Sequence, residues 1–156
     1  MDWDKQMMER TKAGVFRQDS YDKNDKFAID RIKEYLIKNN FTIKEKKIED
    51  FDIDIIAYKN KIKYRIEAEV KNTFFKDEES FPYETVSFLG RKEKYRREGE
   101  FYYILLCKKN KSFLYCKSDI IYQEKYKEIK KVNTVERFGT DLFYRVPKEL
   151  CAFRSF

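Results

Sequence analysis

Two adjacent segments near the middle of the chain alternate between apolar and polar residues. The alternation runs over residues 50–58 and again over residues 63–71. Side chains change face at every residue of a strand, so this period predicts two half-buried strands. Residues 59–61 between them are polar and few, which is typical of the turn in an antiparallel hairpin.

The polar positions of this hairpin are mostly acidic. Asp52 and Asp54 fall on one face of the first strand, and Glu67, Glu69 and Lys71 fall on one face of the second. Surface strands usually mix opposite charges so that neighbours pair, and that purpose needs fewer acids than are present here. We therefore expect this face to carry a site that uses carboxylates.

Apolar spacing elsewhere predicts further elements on both sides of the hairpin. In chain order they are helix 25–39, strand 41–47, strand 82–89, helical turn 91–98, strand 101–107, strand 112–117, helix 119–131 and strand 141–146. This order is typical of an α/β or α+β domain with a mixed central β-sheet flanked by helices. We expect residues 1–156 to form one domain in which residues 1–20 are a short helix or an arm.

Composition places the chain among globular proteins. It has 156 residues, of which 42% are hydrophobic and 17% aromatic, so a core can form despite a charged fraction of 40%. No apolar run approaches a membrane span and the N-terminus lacks an apolar signal core, so we expect a soluble cytoplasmic protein with no membrane partner. Three widely spaced cysteines are typical of reduced thiols in a cytosol.

The absence of histidine removes several chemistries. The chain contains none, which excludes Ser-His-Asp and Cys-His hydrolysis and argues against a four-ligand zinc site. Acid–base work must then fall to Asp, Glu, Lys, Tyr or water.

Charge is distributed unevenly along the chain. The net charge is +7, but residues 1–84 hold 18 Lys/Arg against 19 Asp/Glu, whereas residues 85–156 hold 17 against 9. An acidic cluster followed by a basic half suits a metal site beside a phosphate-binding surface. A lysine-rich composition alone is the simpler explanation of the same numbers.

The acids of the hairpin suit phosphodiester hydrolysis. Mg²⁺ held by a few carboxylates can polarise a phosphate, activate a water and neutralise the leaving oxygen. Asp54 and Glu69 on adjoining strands supply the carboxylates, and Lys71 can stabilise transition-state charge and assist the water. The carbonyl oxygen of Val70 is a further candidate ligand.

At these residues the sequence resembles the PD-(D/E)XK nuclease superfamily. The first acid of the motif matches Asp54 in the run Asp-Ile-Ile-Ala, and the second half matches Glu69-Val70-Lys71. The resemblance implies a restriction-endonuclease-like core and a Mg²⁺-dependent endonuclease, with Mn²⁺ as a substitute. The chain departs from the family pattern at Ile53, where the motif usually has proline.

Several positions of the candidate site stay open. Asp52 lies two residues before Asp54 on the same face, although the apolar triplet after Asp54 favours the latter. Glu67 is an extra acid that can bind a metal or pair with Arg65 or Arg91. The family often adds an acid from the first helix, and Asp30 and Glu34 are the two matches.

Basic residues directly after residues 82–89 are candidates for phosphate contact. Arg91, Lys92 and Lys94 occupy this position, where relatives of the fold often place a basic residue against the scissile phosphate. Tyr95 and Tyr102 can stack on bases, although such spacing is more typical of a core. We expect nucleic acid as the partner, DNA rather than RNA, and a homodimer as an option.

Two other classes of function compete with the nuclease hypothesis. One is a non-catalytic nucleic-acid-binding module, in which the acids would be dispensable and the bases would set a salt-dependent affinity. The other is a protein-interaction or inhibitor protein of the kind that a phage or virus encodes. Metal-dependent cleavage separates the first hypothesis from both.

Overall fold

The structure is a computed structural model that describes residues 18–45, 53–107, 109, 111–133 and 138–156. Its long helix is α1 (Gln18–Lys38), and its strands are β1 (Thr42–Ile43), β2 (Ile55–Lys59), β3 (Ile62–Lys71), β4 (Thr85–Leu89), β5 (Tyr102–Cys107), β6 (Ser112–Lys117), β7 (Lys127–Asn133), β8 (Phe138–Pro147) and β9 (Ala152–Ser155). Shorter helical segments are Gly90–Glu98, Ser118–Ile121, Glu124–Tyr126 and Lys148–Leu150. No helix among the described residues is long and apolar enough to cross a bilayer.

Helix α1 forms because its apolar residues recur every four positions. Ala28, Ile32 and Leu36 are buried and define one stripe of the helix. The helix ends at Lys38, and Asn40 just beyond it takes a positive φ of 70°. The predicted helix 25–39 is confirmed, and the observed helix begins earlier, at Gln18.

Six strands form a mixed sheet in the order β1-β2-β3-β5-β6-β9. Strands β2 and β3 are antiparallel and joined by a tight turn with positive φ at Asn60 and Lys61, which is the geometry of a two-residue hairpin. Strand β3 then pairs in parallel with β5, whereas the other pairings of this sheet are antiparallel. The predicted hairpin and mixed central sheet are therefore confirmed.

A second, three-stranded sheet covers the face of the central sheet opposite α1. Its strand order is β4-β8-β7, and all its pairings are antiparallel. One apolar cluster joins α1 to the central sheet through residues such as Ile32, Ile55 and Ile66. The other lies between the two sheets and contains Phe88 and Tyr103. The expected sheet flanked by helices is therefore corrected, because a helix covers one face and a small sheet covers the other.

Two predicted elements differ from the structure. The expected helix 119–131 is replaced by the short helix Ser118–Ile121, a single 3-10 turn and strand β7. Strand β7 forms because β8 offers it a continuous antiparallel partner, which overrides the helix propensity of its Lys and Glu residues. The expected strand 41–47 retains only β1 in the described residues, and the expected arm 1–20 lies almost entirely outside them.

The C-terminal tail returns to the central sheet as strand β9. Phe153 packs against the cluster between the sheets, and Phe156 packs against the cluster beneath α1. Both rings therefore contact the body of their own chain.

Helix α1 offers a matched test of this packing. Ile32→Ala removes a fully buried side chain and should lower the free energy of unfolding by about 2–5 kcal/mol. Ile37→Ala on the same helix removes a side chain that is 61% exposed and should change it by less than about 0.5 kcal/mol. Urea denaturation of both variants measures the difference, and equal effects would contradict the assigned packing face of α1.

Candidate active site

Strand β3 presents its charged residues to one layer and its apolar residues to the other. Ile66 and Ala68 belong to the cluster beneath α1, so the alternating positions Glu67, Glu69 and Lys71 face the second sheet. Glu67, Glu69 and Lys71 therefore share one face of β3, as predicted.

The two acids of α1 lie on the other side of the central sheet. Asp30 is 3.4 Å from the Lys26 ammonium, and Glu34 is 3.3 Å from the Arg31 guanidinium. Both acids are exposed, and these pairs are ordinary surface contacts along a helix. The structure therefore does not bring Asp30 or Glu34 to the acids of β3, because α1 packs on the apolar face of that strand.

Asp54 is joined to β3 by two hydrogen bonds just before β2 begins. Its Oδ2 accepts a hydrogen bond from the Ala68 amide at 3.0 Å, and its own amide donates to Glu67 Oε1 at 2.9 Å. These bonds extend the contact between the two strands beyond the last backbone pair, Ile55 with Ile66. Asp52, the alternative first ligand, lies outside the described residues.

Glu67 is the most deeply buried acid of the site. Its side chain is 3% exposed, and its Oε2 accepts a 2.8 Å hydrogen bond from the ammonium of Lys92, itself 13% exposed. Burial raises the pKa of Glu67 to about 7, the charge of Asp54 adds to this rise, and Lys92 opposes it. The predicted pairing of Glu67 with Arg65 or Arg91 is corrected, because Lys92 is the partner.

The 3-10 helix Gly90–Glu98 holds Lys92 in place. Buried Arg65 donates from one nitrogen to the carbonyls of Tyr95 at 2.9 Å and Gly99 at 2.5 Å, which ties the end of this helix to β3. At the other end, a Cβ on Gly90 would lie 2.7 Å from Leu142 Cγ, so only glycine permits this approach to β8. The segment is thus anchored on both sides of Lys92.

Glu69 is half-buried and accepts a hydrogen bond from Tyr103. The Tyr103 hydroxyl lies 2.8 Å from Glu69 Oε1, and the ring is fully buried. Burial raises the pKa of Glu69, and the nearby Lys92, the hydroxyl of Tyr103, Arg91 and Lys71 lower it. The charges of three basic residues therefore reach this carboxylate.

Tyr103 belongs to the site but was not among the residues predicted from the sequence. It lies in the apolar run 101–107, which predicts only a buried strand. A buried tyrosine hydroxyl usually finds a polar partner, and this was the available signal. The parallel register places Tyr103 beside Glu67, with Glu69 two residues further along β3. Burial and the charge of Glu69 raise the pKa of Tyr103 well above its ordinary value, so it acts as a donor.

Two carboxylate oxygens of the site accept no hydrogen bond from the residues that the structure describes. They are Asp54 Oδ1 and Glu69 Oε2, whereas both oxygens of Glu67 are engaged. Backbone groups alternate between the edges of a strand, so the Val70 carbonyl points to the same edge as the Ala68 amide that meets Asp54. These are hard oxygen donors of the type Mg²⁺ takes, and one or two carboxylates suffice for it. Across the described residues, however, no group of three or more acids or cysteines is placed to hold a metal ion.

The remaining predicted basic residues border an open groove. Its volume is about 760 Å³, and its charged lining consists of four bases and three acids: Arg91, Lys94, Arg96, Arg97, Glu93, Glu100 and Asp119. Arg96 is paired with Glu93 at 3.6 Å and with Asp119 at 3.2 Å. Arg91 and Lys94 are exposed, whereas Lys92 points inward, so the three predicted phosphate contacts divide into two surface residues and one buried partner of Glu67.

Comparison of the chain with protein-family models, with curated proteins and with solved structures finds no match. The resemblance to the nuclease superfamily therefore rests on Asp54, Glu69 and Lys71 and on the order of elements. That order is α1, the antiparallel strands β1 to β3, then β4 with the basic segment Gly90–Glu98, and then β5, which is parallel to β3.

The raised pKa of Glu67 predicts a pH dependence of stability. Glu67 has a pKa of about 7 in the folded chain, against an ordinary value of 4.5. Proton binding to Glu67 therefore stabilises the folded state, and this stabilisation is complete below pH 4.5 and is lost as the pH rises to about 7. Relative to Glu67→Gln, the native chain should lose roughly 3 kcal/mol of unfolding free energy over this window. Urea denaturation of both proteins at a series of pH values measures the difference.

The variant Lys92→Met tests the same pH dependence from the partner's side. Removing the ammonium takes away a group that lowers the pKa of Glu67, so the loss of stability should extend to higher pH. A difference between native chain and Glu67→Gln that stays constant with pH would contradict the assignment of a buried, titrating Glu67.

Proposed function

We propose that the chain is a metal-dependent nuclease that hydrolyses phosphodiester bonds, with DNA as the expected substrate. The observation that carries this proposal is the grouping of Asp54, Glu67 and Glu69 with basic residues along the second half of β3. The hydrogen bonds from Asp54 to β3 and the shared influence of Lys92 on both glutamates make this one electrostatic unit.

The electrostatics of the unit favour a bound cation. Burial raises the pKa of both Glu67 and Glu69, which means that their charged forms are costly in the folded chain. A divalent cation at the carboxylates would offset that cost and release protons as it binds. Asp54 Oδ1, Glu69 Oε2 and the Val70 carbonyl are the oxygens that would hold it.

Each side chain then has a distinct role. Mg²⁺ or Mn²⁺, when bound, supplies Lewis-acid stabilisation of the phosphate and a water of lowered pKa. Lys71, on the face of Glu69, places a positive charge where the phosphate gains negative charge. Tyr103 orients Glu69 through its hydroxyl, and Lys92 neutralises Glu67. Arg91 and Lys94 bind the phosphate backbone from the bordering groove.

Substitution of the acids tests this proposal. Asp54→Asn, Glu69→Gln and Lys71→Ala should each lower the rate of Mg²⁺-dependent cleavage by at least about 100-fold, because each removes a cation ligand or a transition-state charge. Supercoiled, linear, single-stranded and branched DNA, with RNA in parallel, are incubated with Mg²⁺, Mn²⁺ or EDTA. Cleavage is followed by electrophoresis.

Glu79→Gln is the matched control. Glu79 is an exposed acid of the loop after β3, so its neutralisation should leave cleavage unchanged. Circular dichroism of each variant verifies the fold. Absence of cleavage of every substrate, together with absence of Mg²⁺ and Mn²⁺ binding by calorimetry, would overturn the proposal.

A second candidate function is non-catalytic nucleic-acid binding by the same fold. The observation that favours it is the saturation of Glu67, whose two oxygens are already bonded to the Asp54 amide and to Lys92. Such a pair holds the layers together without a cation. In this function the groove that contains Arg91 and Lys94 would be the active surface.

Binding measurements in EDTA separate the two functions. Under the second candidate, Arg91→Gln combined with Lys94→Gln should weaken binding of duplex DNA and flatten its salt dependence. Glu69→Gln should leave that binding unchanged, and no metal should bind. Cleavage that needs Glu69 would contradict it.

A further inference from the structure

A cavity of about 390 Å³ lies on the α1 side of the central sheet, on the opposite face from Glu67 and Glu69. Tyr64, Tyr102 and Tyr115 line it at the end of the sheet that the last turn of α1 borders. We call it the tyrosine cleft. The rings of Tyr64 and Tyr102 are stacked with centroids 5.6 Å apart, and Tyr115 meets Tyr102 edge-on at 5.8 Å.

The rim of the tyrosine cleft is cationic. Lys59, Lys117 and Arg154 line it, and no carboxylate does so among the described residues. Each cation rests above an aromatic ring of the cleft: Lys59 lies 5.0 Å from the ring centroid of Phe41, Lys117 lies 6.0 Å from that of Tyr102, and Arg154 lies 5.8 Å from that of Tyr115. Such contacts hold the charged heads near the ring faces.

The lack of acidic residues in this lining contrasts with the rest of the chain. The chain carries 28 Asp and Glu residues, so an acid-free lining with three cations is a local property. The nearest acid, Glu100, is exposed and lines the groove of Arg91 and Lys94, although its charge reaches Tyr102 and Lys117. The cleft therefore combines flat apolar surfaces with positive charge, and its complement is a planar ring that carries negative charge.

We propose that the tyrosine cleft binds an unpaired nucleotide of a single-stranded nucleic acid. The base packs against the tyrosine rings, and the phosphates lie against Lys59, Lys117 and Arg154. Base–aromatic stacking beside a cationic groove is the general mode by which proteins bind single strands, and every base has a face that can stack. The cavity volume falls in the range of small-ligand pockets.

This site is independent of the proposed cleavage site. The two lie on opposite faces of one sheet, and the cleft uses neither the acids of β3 nor a metal ion. A chain with both sites would hold an unpaired strand on one face and hydrolyse phosphodiesters on the other. The test is therefore made in EDTA, and binding should persist in Glu69→Gln even though that variant loses cleavage.

Fluorescence anisotropy with the full chain tests the proposal. A short labelled oligothymidylate, an oligouridylate of the same length and a blunt DNA duplex are titrated in EDTA. The single strands should bind more tightly than the duplex. Comparison of the oligothymidylate with the oligouridylate shows whether the cleft prefers single-stranded DNA or RNA.

Substitutions then assign the binding to the cleft. Tyr102→Leu should weaken binding by about tenfold, because it removes a ring face but keeps apolar volume, whereas Tyr102→Phe should stay within about twofold. Arg154→Gln should weaken binding and lower its salt dependence by less than one unit of slope. Lys63→Gln is the matched control, since Lys63 is an exposed lysine of β3 next to Tyr64 but on the opposite face.

Three outcomes would overturn the proposal. They are the absence of single-strand binding, equal affinity for duplex and single strand, and weakening by Lys63→Gln equal to that by Arg154→Gln. If Tyr102→Leu does not fold by circular dichroism, the exposed Arg154 and its Lys63 control decide the result alone.

Discussion

The candidate site depends on one buried ion pair, between Glu67 and Lys92. A carboxylate between two sheets is costly unless a partner and hydrogen bonds compensate it, and here an ammonium and the Asp54 amide take its two oxygens. The pair thereby joins three pieces of chain: the start of β2, the middle of β3 and the 3-10 helix after β4. Loss of either partner would leave the other charge buried, so the layers and the site are stabilised together.

Strand β3 contacts the layers on both sides of the central sheet, because its sequence alternates between apolar and charged residues. Its apolar positions pack beneath α1, and its charged positions face the second sheet. The same alternation separates the two surfaces to which we assign ligands, since Tyr64 lies on the α1 side and Glu67 on the other. Two surfaces of unlike chemistry can thus occupy opposite faces of one sheet.

The sequence predicts what local periodicity controls. It predicts the hairpin, the parallel partner strand as a buried run, and the common face of Glu67 and Glu69, because side-chain alternation alone decides these. It does not predict the position of α1, since either face of a sheet can receive a helix, and the candidate acids Asp30 and Glu34 were placed wrongly for that reason. It also misses Lys92 as a buried partner, because a run of basic residues gives no signal of which one turns inward. Strand β7 is set by its neighbour β8 and not by its own propensity.

The chain passes between its two sheets four times, because β4 is inserted between β3 and β5, and β7 with β8 is inserted between β6 and β9. The smaller sheet is therefore not a separable module. Removing β4 and the helix after it would also remove the crossover that makes β3 and β5 parallel neighbours. Residues of both insertions complete the apolar cluster between the sheets, so that cluster forms only once the chain has made all four passages.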